Sequence, residues 1–177
     1  SYFDSFVKSE PNDNFPELMK AANPKADAAS ILSKTLTLRT IVRQALYNRV
    51  DFVTGKTPVP FKYVQLDFMK VKPGMGTEYL KVEQEDWKPI HQNLTDNGKR
   101  VGWNLWSQLI PGGTANSHDY VTGNIFSTYE QMSGAAYEEA FKKVYPGKDV
   151  QVMFDRAAKA RDLVKTELWE LVDSLNQ

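Results

Sequence analysis

Two observations predict an α+β fold for this 177-residue chain, an antiparallel sheet with helices on one face. From residue 61 onward the hydrophobic pattern runs strand, helix, strand, strand, helix. The start of the chain also repeats its end. A shift of 122 residues lays 23–53 on 145–175 without a gap, bringing Pro24 onto Pro146, Asp27 onto Asp149, Arg39 onto Arg161, Leu46 onto Leu168 and Val50 onto Val172. Self-similarity at a fixed offset means two copies of one structural unit. The expected organisation is the C-terminal half of a first repeat over 1–54, a linker over 55–60 and a complete repeat over 61–177. The same offset predicts that about 64 residues upstream of Ser1 would complete the first copy.

Taken in order, residues 2–6 form an aromatic stub that aligns loosely with 125–129 and is expected to be the last strand of the partial copy. A short helix is expected over 15–22, after the polar, Pro-containing stretch 9–14. Residues 26–52 read as one long helix, with Ile31, Leu38, Val42, Leu46 and Val50 at helical spacing. GKTPVP at 55–60 cannot continue it, because two prolines and a glycine break the hydrogen-bond ladder. KYVQLDFMKV at 62–71 alternates as a strand, with Val64, Leu66 and Phe68 on one face and Tyr63, Gln65 and Asp67 on the other. After the KPGMG turn at 72–76, residues 77–97 are helical and close at Gly98, which suits a left-handed cap. Pro89 lies inside that helix and predicts a kink near Glu85. Strands follow over 101–110 and 120–128, joined by the turn PGGTAN at 111–116. A helix over 133–144 stops at Pro146 and Gly147, and a last helix spans 149–175 with Asp149 as its N-cap. By the repeat, 26–52 is expected to superpose on 148–174.

Composition narrows the function classes. Lysine plus arginine balance aspartate plus glutamate at 22 each, so there is no basic excess for nucleic acid and no basic amphipathic stretch for a membrane surface. No run approaches the length of a membrane-spanning helix. With no cysteine, thiolate metal sites, a cysteine nucleophile and disulfides are excluded. PGGTAN joins two strands and has no following helix or lysine, so it is not a phosphate loop.

FKYVQLDFMKVKPGMGTEYLKVEQEDWKPIHQ at 61–92, followed by GWNLWSQLIPGG and HDYVTGNIFSTYEQM, resembles the dimeric α/β-barrel superfamily. Its ferredoxin-like members include cofactor-free antibiotic-biosynthesis-type monooxygenases, haem-degrading enzymes and many uncharacterised, often exported, bacterial proteins. A strand, a KPG turn and a helix with a WKPxH core are similar to one of those uncharacterised groups. The resemblance covers 61–177, and 1–53 as a partial second copy. It implies a ferredoxin-like dimeric α/β barrel, paired as a pseudo-dimer within the full chain or as a homodimer, and it leans toward an exported or periplasmic location. The Asn–Trp–His arrangement of the haem-degrading enzymes has no residue-by-residue counterpart here, so haem cleavage is not carried over and no cofactor is expected.

Among single residues His91 stands out, in line with Glu83 and Trp87 at i, i+4 and i+8 on one helix. A carboxylate, an indole and an imidazole on one face suit a site opening toward the sheet, with His91 as general base and Glu83 beside it. The plainer reading makes Trp87 core, Glu83 solvated and His91 a packing residue at the helix edge. Trp103 and Trp106, three apart on a strand, point to opposite faces. Trp103 then lines a ligand site or packs the helix-side core. Tyr63, Asp67 and Tyr120 add polar groups to a cavity on the strands, or to a seam between units. His118 sits in a Gly/Asn/Ser-rich loop, where exposure is the default. A two-histidine metal site needs both histidines, and their spacing suggests none, so no metal is expected. These residues lead to a protein that binds a small, largely apolar ligand. The alternatives are a cofactor-independent monooxygenase-like enzyme using His91 with Glu83 or Asp67, and a structural barrel filled by its own side chains.

Overall fold

The alternating segments do form strands, and the sheet they build is five-stranded, antiparallel where its pairings are defined, and open. A computed structural model describes residues 15–25, 27–40, 42–132 and 134–173. The chain forms two compact units, Ser1–Leu46 and Tyr47–Gln177. The aromatic stub 2–6 lies outside the described residues.

In the first unit, α1 (Phe15–Ala22) contacts α2 (Ala28–Leu38). Asp27 caps α2 by accepting from the Ala29 amide at 3.1 Å, which satisfies one of the free N–H groups of the first turn. The expected continuous helix over 26–52 is not observed. Arg39 turns extended, with φ −144° and ψ 151°, and Leu46–Thr54 is strand β1.

The second unit takes in β1 from Tyr47 on and then runs β2 (Tyr63–Val71), α3 (Gly76–Lys81), a π-helical turn (Val82–Trp87), α4 (Lys88–Asp96), β3 (Gly102–Ile110) and β4 (Tyr120–Phe126). A 3-10 turn (Tyr129–Met132), α5 (Gly134–Val144), α6 (Val150–Ala160) and β5 (Arg161–Glu170) complete it. Strand order across the sheet is β1-β3-β4-β2-β5. Interior strand β2 is antiparallel to both β4 and β5, placing Asp67 opposite Thr122 on one side and Thr166 on the other. A bulge at Phe68/Met69 shifts the β2–β5 register.

The long terminal helix is a second correction. Asp149 caps α6 through the Gln151 amide at 2.9 Å, but the helix stops at Ala160 and the chain becomes β5. The two misread segments share one cause. Val42, Leu46 and Val50, like Val164, Leu168 and Val172, are spaced by four. Four is close to one helical turn, yet it is also an even number, so the same residues share one face of a strand. Pairing with a neighbouring strand decided between the two. The local helices nonetheless match: α2 and α6 each begin after an aspartate cap and end before an arginine, at the offset of the repeat.

Upstream of Pro89 the helix widens. Lacking an N–H, Pro89 cannot bond the Glu85 carbonyl, and a π-helical turn lies just upstream. The Tyr145 hydroxyl donates to the Glu85 and Asp86 carbonyls at 2.8 and 3.0 Å, supplying the missing donor from the end of α5. Gly98 closes α4 at φ +67°, where a Cβ would be strained.

Packing divides the sheet by face. Gln65, Asp67, Met69, Trp103, Thr122 and Asn124 lie toward the helices. Val64, Leu66, Phe68 and Trp106 lie on the other face, as the alternation predicts. There Trp106 rests on Gly123 so closely that a Cβ on this glycine would stand 2.5 Å from the indole. Between sheet and helices, Met69, Tyr79, Trp103, Leu105 and Ala160 form one apolar cluster, and Val82, Trp87, Ile90, Leu94, Phe141 and Met153 another.

Candidate functional site

A cavity of about 310 Å³ lies between the helix-side face of the sheet and the helices. Each contributing element follows from local patterning. The polar face of β2 delivers Gln65 and Asp67, and the π-helical turn delivers Glu83 and Trp87. His91 comes from α4, Trp103 from β3, Thr122 and Asn124 from β4, Tyr137 from α5 and Arg161 from the first residue of β5. π-Helical turns recur at functional sites because the extra residue per turn re-aims side chains.

Five of the residues singled out from sequence meet here: Asp67, Glu83, Trp87, His91 and Trp103. Tyr63 and Tyr120 do not line the cavity. Tyr63 meets Tyr129 edge-on at 6.3 Å, and Tyr120 packs on Tyr79 at 4.9 Å. His118, expected to be exposed, is only 3% exposed. Its Nε2 lies 2.7 Å from the Tyr47 hydroxyl and its ring meets Phe68 edge-on, so the loop folds back and β1 covers it. Among the described residues, no group of three or more His, Cys, Asp or Glu side chains is placed to hold a metal ion. Nor is any described helix long and apolar enough to cross a membrane.

His91 is 5% exposed, and its ring stacks on Trp103 with centroids 4.9 Å apart and planes 15° from parallel. Arg100 Nη1 donates to His91 Nδ1. Desolvation, reinforced by the Arg100 charge, holds the imidazole well below its usual range and keeps it neutral. A neutral imidazole accepting at Nδ1 carries its proton on Nε2, which makes Nε2 a donor. Glu83 is 3% exposed, and burial pushes its carboxyl up to about 7 against the opposing charge of Arg161. Asp67 is committed to structure: it accepts from Thr166 Oγ1 at 2.6 Å, Asn124 Nδ2 at 3.2 Å and Gln65 Nε2 at 3.1 and 3.2 Å.

Sequence reasoning missed Arg100, Arg161, Asn124 and Tyr137. Arg100 follows the polar stretch Asn97–Gly98–Lys99 and has the local appearance of a solvated residue, yet it is 8% exposed. Its guanidinium lies 5.2 Å over the Phe126 ring and 5.8 Å over that of Tyr137. Arg161 did carry a signal, since the repeat aligns it with Arg39, but it fell in a segment read as helix.

No family model matches the chain. Over 116 residues, 63% of this chain, it is 27% identical to Fibrocystin-L of Mus musculus. The match covers 2% of that much longer protein.

Proposed function

We propose that this chain binds a small molecule in the cavity bounded by Glu83, Trp87, His91 and Trp103, within a ferredoxin-like α/β unit that pairs with a second such unit. One observation carries the binding reading: a space of about 310 Å³ at the low end of ligand-pocket size, ringed by buried ionisable groups and aromatic walls. A barrel filled by its own side chains would have no such space. The element order β2, helix, β3, β4, helix, β5 with sheet order β3-β4-β2-β5 supports the ferredoxin-like reading. Tandem duplication is supported by the matched caps and ends of α2 and α6. Pairing is supported by β1, which in the repeat corresponds to the far end of β5 and here lies beside β3.

A cofactor-independent oxygenase is the second reading, and the raised carboxyl of Glu83 favours it. A buried group that exchanges a proton near pH 7 suits removal of a proton from an activated aromatic substrate. His91, with its Nδ1 engaged by Arg100, then serves as hydrogen-bond donor through Nε2, and Glu83 takes the role of base.

Tryptophan fluorescence tests both, because Trp87 and Trp103 line the cavity. Titration with 2-naphthol should change the emission, and Ala136→Phe, which fills the cavity from α5, should abolish the change. Oxygen uptake with the same phenol that disappears in Glu83→Gln while binding persists would mark an enzyme. Binding without uptake marks a binding protein, and an emission unchanged up to millimolar phenol overturns the ligand reading.

A further inference from the structure

We infer that the ligand of this cavity is an anion, most simply a carboxylate on a small planar body, received by Arg100 and Arg161. The inference rests on the cavity-binding reading above and narrows its ligand class, which the sequence had suggested to be largely apolar. Two guanidinium groups line one cavity, and among the described residues neither has a carboxylate within ion-pair distance. Arg100 is 8% exposed, and the Nε atoms of Arg100 and Arg161 are both buried without a hydrogen-bond partner. Buried charges are ordinarily paired, because leaving a buried cation unpaired forfeits its hydration without return.

The acidic groups nearby do not fill this role: Glu83 opposes Arg161 across the cavity but stands beyond ion-pair distance from it. Asp67 has three donors of its own, from Gln65, Asn124 and Thr166. His91 offers Arg100 a neutral acceptor only. Asn124 Oδ1 is also buried without a partner, which leaves an acceptor in the same cavity for a hydroxyl or amide of the ligand. Around these groups stand Trp87, Phe126 and Phe154, with Trp87 and Phe154 edge-on at 5.3 Å. Flat rings and guanidinium groups together suit an aromatic carboxylate: the ring contacts apolar walls while its oxygens accept from the arginines.

Calorimetric titration of the whole chain with benzoate and with benzamide, which has nearly the same shape and no charge, tests this. Benzoate should bind at least tenfold more tightly. Arg161→Gln should erase the preference, and Arg161→Lys should keep part of it. Equal binding of the two probes, with both lost in Ala136→Phe, would overturn the anion inference and leave the cavity reading standing. Failure of both probes to bind at millimolar concentration would overturn the cavity reading as well. The wild-type comparison decides the matter even if an arginine variant does not fold.

Discussion

At the scale of single residues, Glu83 is the buried carboxyl of the cavity. Its carboxyl is shifted from an ordinary 4.5 to about 7 by burial, so the folded state holds a proton that the unfolded chain releases. A carboxyl raised in this way stabilises the fold below about pH 4.5. That contribution declines as pH rises through the interval from 4.5 to 7, and is gone above it. A tenfold difference in proton affinity between folded and unfolded chain is worth roughly 1.4 kcal/mol, so the loss across the interval is on the order of 3 kcal/mol. Facing Glu83 are Asp67 on β2, Tyr79 on α3, Tyr137 on α5 and Arg161 on β5, with His91 and Arg100 lining the same cavity. His91 acts in the opposite sense, since a depressed imidazole makes the fold lose stability as pH falls below its usual value. Urea melts at pH 5 and pH 8 should therefore separate wild type from Glu83→Gln, with the variant losing the part of the decline due to Glu83. An unchanged pH profile in the variant would show that Glu83 titrates normally.

Among the elements, the broken helix at Pro89 is the one with a removable support. Tyr145 carries a single hydroxyl to two carbonyls, those of Glu85 and Asp86, on the turn that presents Glu83 and Trp87. Tyr145→Phe keeps the ring against Phe141 and deletes the donor. The expected cost is up to about 1 kcal/mol in a urea melt, as for a hydrogen bond lost on a partly exposed turn. Hydrogen exchange should speed up over residues 86–92 while the β2 amides are unaffected. A melt identical to wild type would mean that water satisfies both carbonyls equally well.

For the molecule as a whole, the outer face of the open sheet is the surface that pairing would cover. Val64, Leu66, Phe68, Trp106 and Trp169 share the face away from the helices, and Trp169 is 58% exposed. The proposed pairing covers this face with the equivalent face of a second unit, here a second copy of the chain. Sedimentation at tens of micromolar should show a dimer, and Trp169→Glu should shift it to monomer without loss of secondary structure. A wild-type monomer at that concentration would overturn pairing between chains. An exposed indole on an edge strand also carries an association risk that a charge would remove.

Strand boundaries in 62–126, the cap at Gly98 and the cap at Asp149 were legible in the sequence, because alternation, a positive-φ glycine and an N-cap side chain act within a few residues. The meeting of Asp67, Glu83, Trp87, His91 and Trp103 was partly legible for the same reason: helical spacing groups three of them, and strand alternation aims the other two. The state of 161–170 and of 46–54 was not legible, since apolar residues four apart satisfy helix and strand alike and only a partner strand breaks the tie. The burial of Arg100 and His118, and the half-burial of Arg161, likewise depended on segments distant in sequence. Local patterning determined which residues become strands and caps, and tertiary structure decided which charges lie buried together, because desolvation depends on everything packed around a group and not on its neighbours along the chain.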